Sequence, residues 1–65
     1  MRILVNGASH EIRAADLCGA LEELGYGGAV VATAVNGEFV PATDRPAARL
    51  SDGDRLEVLA PMQGG

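Results

Sequence analysis

Lysine and tryptophan are absent from this 65-residue chain, and histidine, cysteine, tyrosine and phenylalanine occur once each. Without lysine there is no Schiff-base chemistry, no P-loop phosphate grip and no lysine general base. A single cysteine excludes an internal disulfide framework, and one cysteine with one histidine cannot assemble a four-ligand zinc site. Positive charge is scarce: five arginines stand against nine acids, for a net charge of −4 and a pI near 4.6. Nucleic-acid binders need clustered positive charge to displace counterions, so this composition argues against a nucleic-acid partner. No apolar run approaches the roughly 20 residues of a membrane span, and no signal-peptide pattern opens the chain. The expectation is a small, acidic, cytoplasmic protein with no membrane partner.

What remains is ordinary globular material, 48% apolar and 22% charged. A chain this short buries only about 60% of its unfolded surface. It has room for one small core and none for an enclosed active-site cleft. Any chemistry must come from acids, arginines, Cys18, His10 or the chain ends.

The β-formers Met1–Val5 run into Asn6-Gly7, the strongest short hairpin signal, because a type I′ turn needs positive φ at both central residues. The return strand is expected over Ser9–Arg13, with Ile12 as its core residue. Ala14 to Gly25 reads as a helix, with Leu17, Leu21 and Leu24 on one face, Asp16 near its positive end and Gly25 just past its end. Gly19 inside it suggests a close helix–sheet contact. Ala29–Val35 reads as a strand anchored by Val30, Val31 and Val35. A second Asn-Gly, at Asn36-Gly37, leads to the short strand Glu38–Val40, which Pro41 ends. Ala42–Arg49 reads as a loop, Leu50 returns to the core, and Asp52-Gly53-Asp54 turns into the alternating strand Arg55–Leu59. The order β-β-α-β-β-β is that of the ubiquitin-like β-grasp, an α+β fold in which a mixed sheet packs on one helix. Residues 1–59 form the expected domain and 60–65 a flexible C-terminal Gly-Gly tail.

The side chains offer little chemistry. Ser9 and His10 are adjacent on a strand and so point to opposite faces. Cys18, beside the leucine stripe, reads as a small buried or half-buried hydrophobe with acids for neighbours. Asp52 and Asp54 fit a solvated turn, and Glu22 and Glu23 a wet helix face. No metal site and no catalytic triad emerges. The end is different: Pro61-Met62-Gln63-Gly64-Gly65 offers a thin tip able to thread a narrow channel, with a carboxylate that ATP can activate as an acyl-adenylate. Read as the terminus it stands at here, Gly65 would need no protease to expose it.

Taken in order, the first Val-Asn-Gly hairpin, Val35-Asn36-Gly37-Glu38-Phe39-Val40-Pro41, Leu50-Ser51-Asp52-Gly53-Asp54 and the Gly64-Gly65 end resemble the ThiS family, the sulfur carriers of thiamine thiazole biosynthesis. The resemblance implies a protein cosubstrate, not an enzyme. The Gly65 carboxylate would be adenylated by a ThiF-type adenylyltransferase using ATP and magnesium, no cofactor being bound by this chain itself. A desulfurase relay would supply the sulfur that displaces AMP and leaves a thiocarboxylate. Thiazole synthase (ThiG) would accept that sulfur, and Gly64 keeps the tip thin. The chain departs from the family pattern at Ala42, where a basic residue is common, and in lacking an aromatic within Thr43–Arg49.

Alternation also predicts a docking patch. With Leu56 and Val58 facing the helix, Leu59 faces out on the side of Leu4, and with Met62 and Gln63 these residues are the candidate partner contacts. The alternatives are a molybdopterin-synthase small subunit (MoaD-like), another β-grasp sulfur carrier, a protein-conjugating modifier, or a plain β-grasp binding module.

Overall fold

Two Asn-Gly turns set the hairpins. Asn6 and Gly7 hold φ of 50° and 87°, and Asn36 and Gly37 hold 51° and 86°, the left-handed pairs that a type I′ turn requires. In this computed structural model, which describes residues 1–60, the first turn joins β1 (Arg2–Val5) to β2 (Ala8–Glu11), and the second joins β3 (Ala32–Val35) to β4 (Glu38–Val40). The strand β5 (Arg55–Leu59) lies between the hairpins, giving the order β2-β1-β5-β3-β4. It runs parallel to β1, with Leu4 beside Arg55, and antiparallel to β3, with Ala32 beside Leu59.

One face of this sheet is covered by α1 (Leu17–Glu23). Ile3, Val5, Leu56 and Val58 from the strands meet Leu17, Ala20 and Leu21 from the helix, with Ile12 and Leu50 closing the core. Each buried Val, Leu or Ile side chain among them contributes about 1.5–3 kcal/mol when fully buried. Among the described residues the one buried polar side chain is Thr33. Its hydroxyl donates to Val40 O at 2.8 Å and accepts from Arg45 Nε at 3.1 Å, so its burial leaves nothing unpaired. The mixed five-strand sheet on one helix is the α+β, ubiquitin-like β-grasp architecture expected from the element order.

Several boundaries differ from the sequence expectation. The helix begins at Leu17 rather than Ala14, because Asp16 is its N-cap: the backbone is extended there and Oδ1 accepts from Gly19 N at 2.8 Å. Upstream, the chain pairs with the segment around Arg49. Leu17 N donates to Ala48 O and Leu50 N to Ala15 O, so Ala14 and Ala15 precede the helix. Gly19 answers to that entry and not to the sheet, since a Cβ there would stand 3.0 Å from Ala14 Cβ. At the other end, Gly25 N donates to Glu22 O and Tyr26 N to Leu21 O. With Gly25 at φ 94° this is a Schellman termination.

β3 starts at Ala32, three residues later than predicted, and Val30 is 80% exposed, so it anchors nothing. Val31 and Val35 are partly buried and do pack on the core. The β2 strand ends at Glu11, with Ile12 buried just beyond it. Ala42–Ala47, read as a loop, forms a 3-10 helix. Its short turns tolerate Pro46, and Arg45 ties it to β3 by donating from Nη2 to Val31 O and from Nε to the Thr33 hydroxyl.

Candidate functional site

The sheet face opposite the helix is the candidate site. Strand alternation sends Leu56 and Val58 into the core, so Arg55, Glu57 and Leu59 must face outward. Ile3 and Val5 do the same for Leu4. Leu4 is 38% exposed and Leu59 69%. The two line one shallow hollow of about 520 Å³, together with Asn6, Arg55 and Glu57. The predicted pairing of Leu4 with Leu59 on one side of the sheet is therefore present. Met62, Gln63, Gly64 and Gly65, and with them the predicted flexible tail beyond Ala60, lie outside the described residues.

Phe39 belongs to the same face and stands outside the contacts expected from the sequence. It is 68% exposed, pairs across the hairpin with Ala34, and lines a second hollow of about 120 Å³ with Ala32, Glu57 and Leu59. Its signal was legible in the alternation: Val40 packs inward, so its neighbour Phe39 turns out. The small partners Ala32 and Ala34 leave Phe39 and Leu59 standing above the sheet. Glu57 and Leu59 line both hollows. Large exposed apolar side chains gathered around two hollows set this face apart from a surface of singly scattered aliphatics.

The remaining predicted features separate cleanly. Cys18 is exposed, not buried or half-buried, because the buried stripe runs through Leu17, Ala20 and Leu21 and turns Cys18 to solvent. Ser9 and His10 are both exposed on β2, and the Ser9 hydroxyl accepts from Arg2 Nη1 at 3.2 Å. The turn acids are backbone acceptors: Asp52 takes Arg2 N at 2.7 Å, and Asp54 takes Ser51 N at 2.8 Å. Glu22 is exposed as expected. Glu23 does more than face water, since its carboxylate accepts from Arg13 N at 2.9 Å and from Ala14 N at 2.9 Å. Those backbone donors, Arg13 first, hold its pKa below the ordinary glutamate value. Among the described residues no group of three or more His, Cys, Asp or Glu side chains is placed to hold a metal ion, and no helix is long and apolar enough to cross a membrane.

A five-strand mixed sheet with β5 inserted between two Asn-Gly hairpins, one helix on its inner face and an apolar outer face defines a ubiquitin-like β-grasp domain. The chain belongs to the ThiS family, whose model it matches over residues 3–65. It is similar to a crystal structure of a thiamine biosynthesis protein (ThiS) from Geobacter metallireducens, with TM-score 0.82 and 30% identity over 100% of both chains. It is also similar to an NMR solution structure of a thiamine biosynthesis protein from Geobacter metallireducens, with TM-score 0.79 and 29% identity over 100% of this chain and 88% of that one. No curated protein matches the chain.

Proposed function

We propose that this protein is a sulfur carrier of thiamine thiazole biosynthesis, a protein cosubstrate working in the cytoplasm. In this reading the Gly65 carboxylate attacks ATP on a ThiF-type adenylyltransferase, which holds the nucleotide and magnesium, and pyrophosphate leaves. The terminal sulfur of a persulfide on a desulfurase relay then attacks the acyl carbon and AMP leaves. A thiol reductant cleaves the resulting acyl disulfide, itself ending as a disulfide with the relay cysteine, and Gly65 carries a thiocarboxylate. Thiazole synthase (ThiG) accepts the sulfur. The observation that carries the reading is that the family match runs through residue 65 and so takes in both Gly64 and Gly65.

The domain's part is recognition. Leu4, Phe39 and Leu59 supply the apolar face, and Met62, Gln63 and the glycines follow within six residues of Leu59 in the sequence. Gly64 and Gly65 have no side chain to obstruct a narrow channel. The acidic balance of the chain favours encounter with basic rims on its partners.

The test is the intact mass of the protein after incubation with ATP, magnesium, a ThiF-type enzyme and a sulfur source. The expected gain matches one oxygen replaced by sulfur, and it disappears when Gly65 is deleted or a residue is added after it. Offering the product to thiazole synthase and to molybdopterin synthase identifies the acceptor. An unchanged mass beside an active control carrier overturns the proposal.

A further inference from the structure

We propose that Arg55 and Glu57 fix the orientation in which the sheet face docks, and that the partner surface it fits carries an acidic and a basic side chain, in that order along β5. The inference rests on the carrier reading and names the chemistry of its adenylating partner's docking surface. β5 presents Arg55, Glu57 and Leu59 in sequence on the outer face, since alternate residues of a strand share a side. Two strand residues span about 6.6–6.8 Å, a spacing one partner surface can read with two separate side chains.

Both charges are free for such use. Both residues are exposed, and among the described residues the ion pairs within 4.0 Å all involve Glu11. Arg55 lies between Leu4 and Asn36, and Glu57 beside Ala34, and neither residue joins an ion pair among the described residues. Glu57 also lies between the two hollows and contributes to both. A partner filling them with apolar side chains must bring something to that carboxylate, and a desolvated, unpaired charge is costly.

An apolar patch by itself is indifferent to a half-turn of the partner. A side-by-side pair of opposite charges is not, because reversal sets like against like. Orientation matters here because β5 ends at Leu59, only six residues before Gly65 in the sequence. A complex docked backwards sends the reacting end away from the nucleotide. The pair sums to zero charge, so it adds nothing to long-range attraction and acts at contact.

The experiment measures the affinity of a purified ThiF-type adenylyltransferase for the wild type, for the swap R55E/E57R and for the neutral R55Q/E57Q. The swap preserves net charge and every apolar residue of the face. Expected is a loss of about tenfold or more for the swap, with a smaller loss for the neutral variant and a gap that narrows at high salt. Thermal melts confirm that the variants fold; should the swap not fold, R55Q/E57Q alone decides, with wild-type affinity overturning the proposal. A folded swap that binds as well as the wild type, or no worse than the neutral variant, also overturns it. A wild type that binds yet gains no sulfur on Gly65 defeats the carrier reading instead, and the swap still judges the pair.

Discussion

The Asn6 side chain pairs with the backbone of Val58 as if it were a residue of the neighbouring strand. Its Nδ2 donates to Val58 O at 3.1 Å, and its Oδ1 accepts from Val58 N at 2.9 Å. β1 turns away into its hairpin at this point while β5 continues to Leu59, and the carboxamide replaces the peptide group that β1 no longer supplies. Asn36 does the corresponding work at the start of β5, where its Oδ1 accepts from Arg55 N at 3.0 Å. The two Asn-Gly turns thus clamp the central strand at both ends, and the Asn6 clamp sits one residue before β5 ends at Leu59.

Replacing Asn6 by glycine tests the clamp without straining the turn, since glycine keeps the positive φ. Loss of two hydrogen bonds, with the Val58 amide and carbonyl left to find other partners, is expected to cost about 1–3 kcal/mol. For a domain of this size that lowers the melting temperature by roughly 4–8 °C per kcal/mol. Amide exchange at Val58 should accelerate more than at Leu56. An unchanged Val58 exchange rate contradicts the strand-extension role.

Arg45 and Thr33 form a coupled pair that ties the 3-10 helix to β3. Arg45→Ala removes two donors, to Val31 O and to the buried Thr33 hydroxyl, and is expected to destabilise by about 1–3 kcal/mol. In a Thr33→Val background the same change should cost less, with a coupling of about 0.5–3 kcal/mol. Denaturant titration of the four proteins measures it, and simple additivity refutes the pairing.

Glu23 gives the fold an acid-sensitive joint. Its pKa is lowered in the folded state, first by the Arg13 N–H and then by the Ala14 N–H. The carboxylate therefore contributes stability that is fully present above the unfolded-state value and is lost as pH falls through the lowered folded-state value. Urea midpoints measured from neutrality down to about pH 3 should fall less steeply for Glu23→Gln than for the wild type. Parallel curves exclude this contribution.

Leu59 and Phe39 should matter for encounter and not for folding. Each is about two-thirds exposed, so Leu59→Ala and Phe39→Ala are expected to leave unfolding free energy within about 0.5 kcal/mol of the wild type. The same variants should weaken binding to the adenylyltransferase by about tenfold. Calorimetric binding beside thermal melts separates the two effects, and wild-type affinity in both variants removes the outer face from the docking surface.

Much of the architecture was legible because its signals are local. Positive φ demands Asn-Gly, alternation assigns Leu56 and Val58 to one face and Leu59 to the other, and the leucine spacing marks the helix. Several boundaries were misread because they depend on contacts distant in sequence or on their absence. Ala14 and Ala15 favour helix, yet their backbone pairs with the chain near Arg49. Val30 favours strand, yet no neighbour reaches it. Phe39 is turned outward by the alternation that packs Val40 inward, and it stands proud because Ala34 across the hairpin is small. Glu23 looked solvated because its partners, the Arg13 and Ala14 amides, come from the stretch before the helix.

The sequence by itself determined the order of elements, the two hairpins, the composition of the core and the absence of lysine chemistry, because dihedral preference and side-chain period act within a few residues. Only the tertiary structure decided where β5 is inserted. That insertion alone brings Leu4, Phe39 and Leu59 to one face, sets Arg55 and Glu57 between two hollows and gives Asn6 a strand to clamp, because side chains some 20 to 50 positions apart become neighbours only when the sheet closes around them.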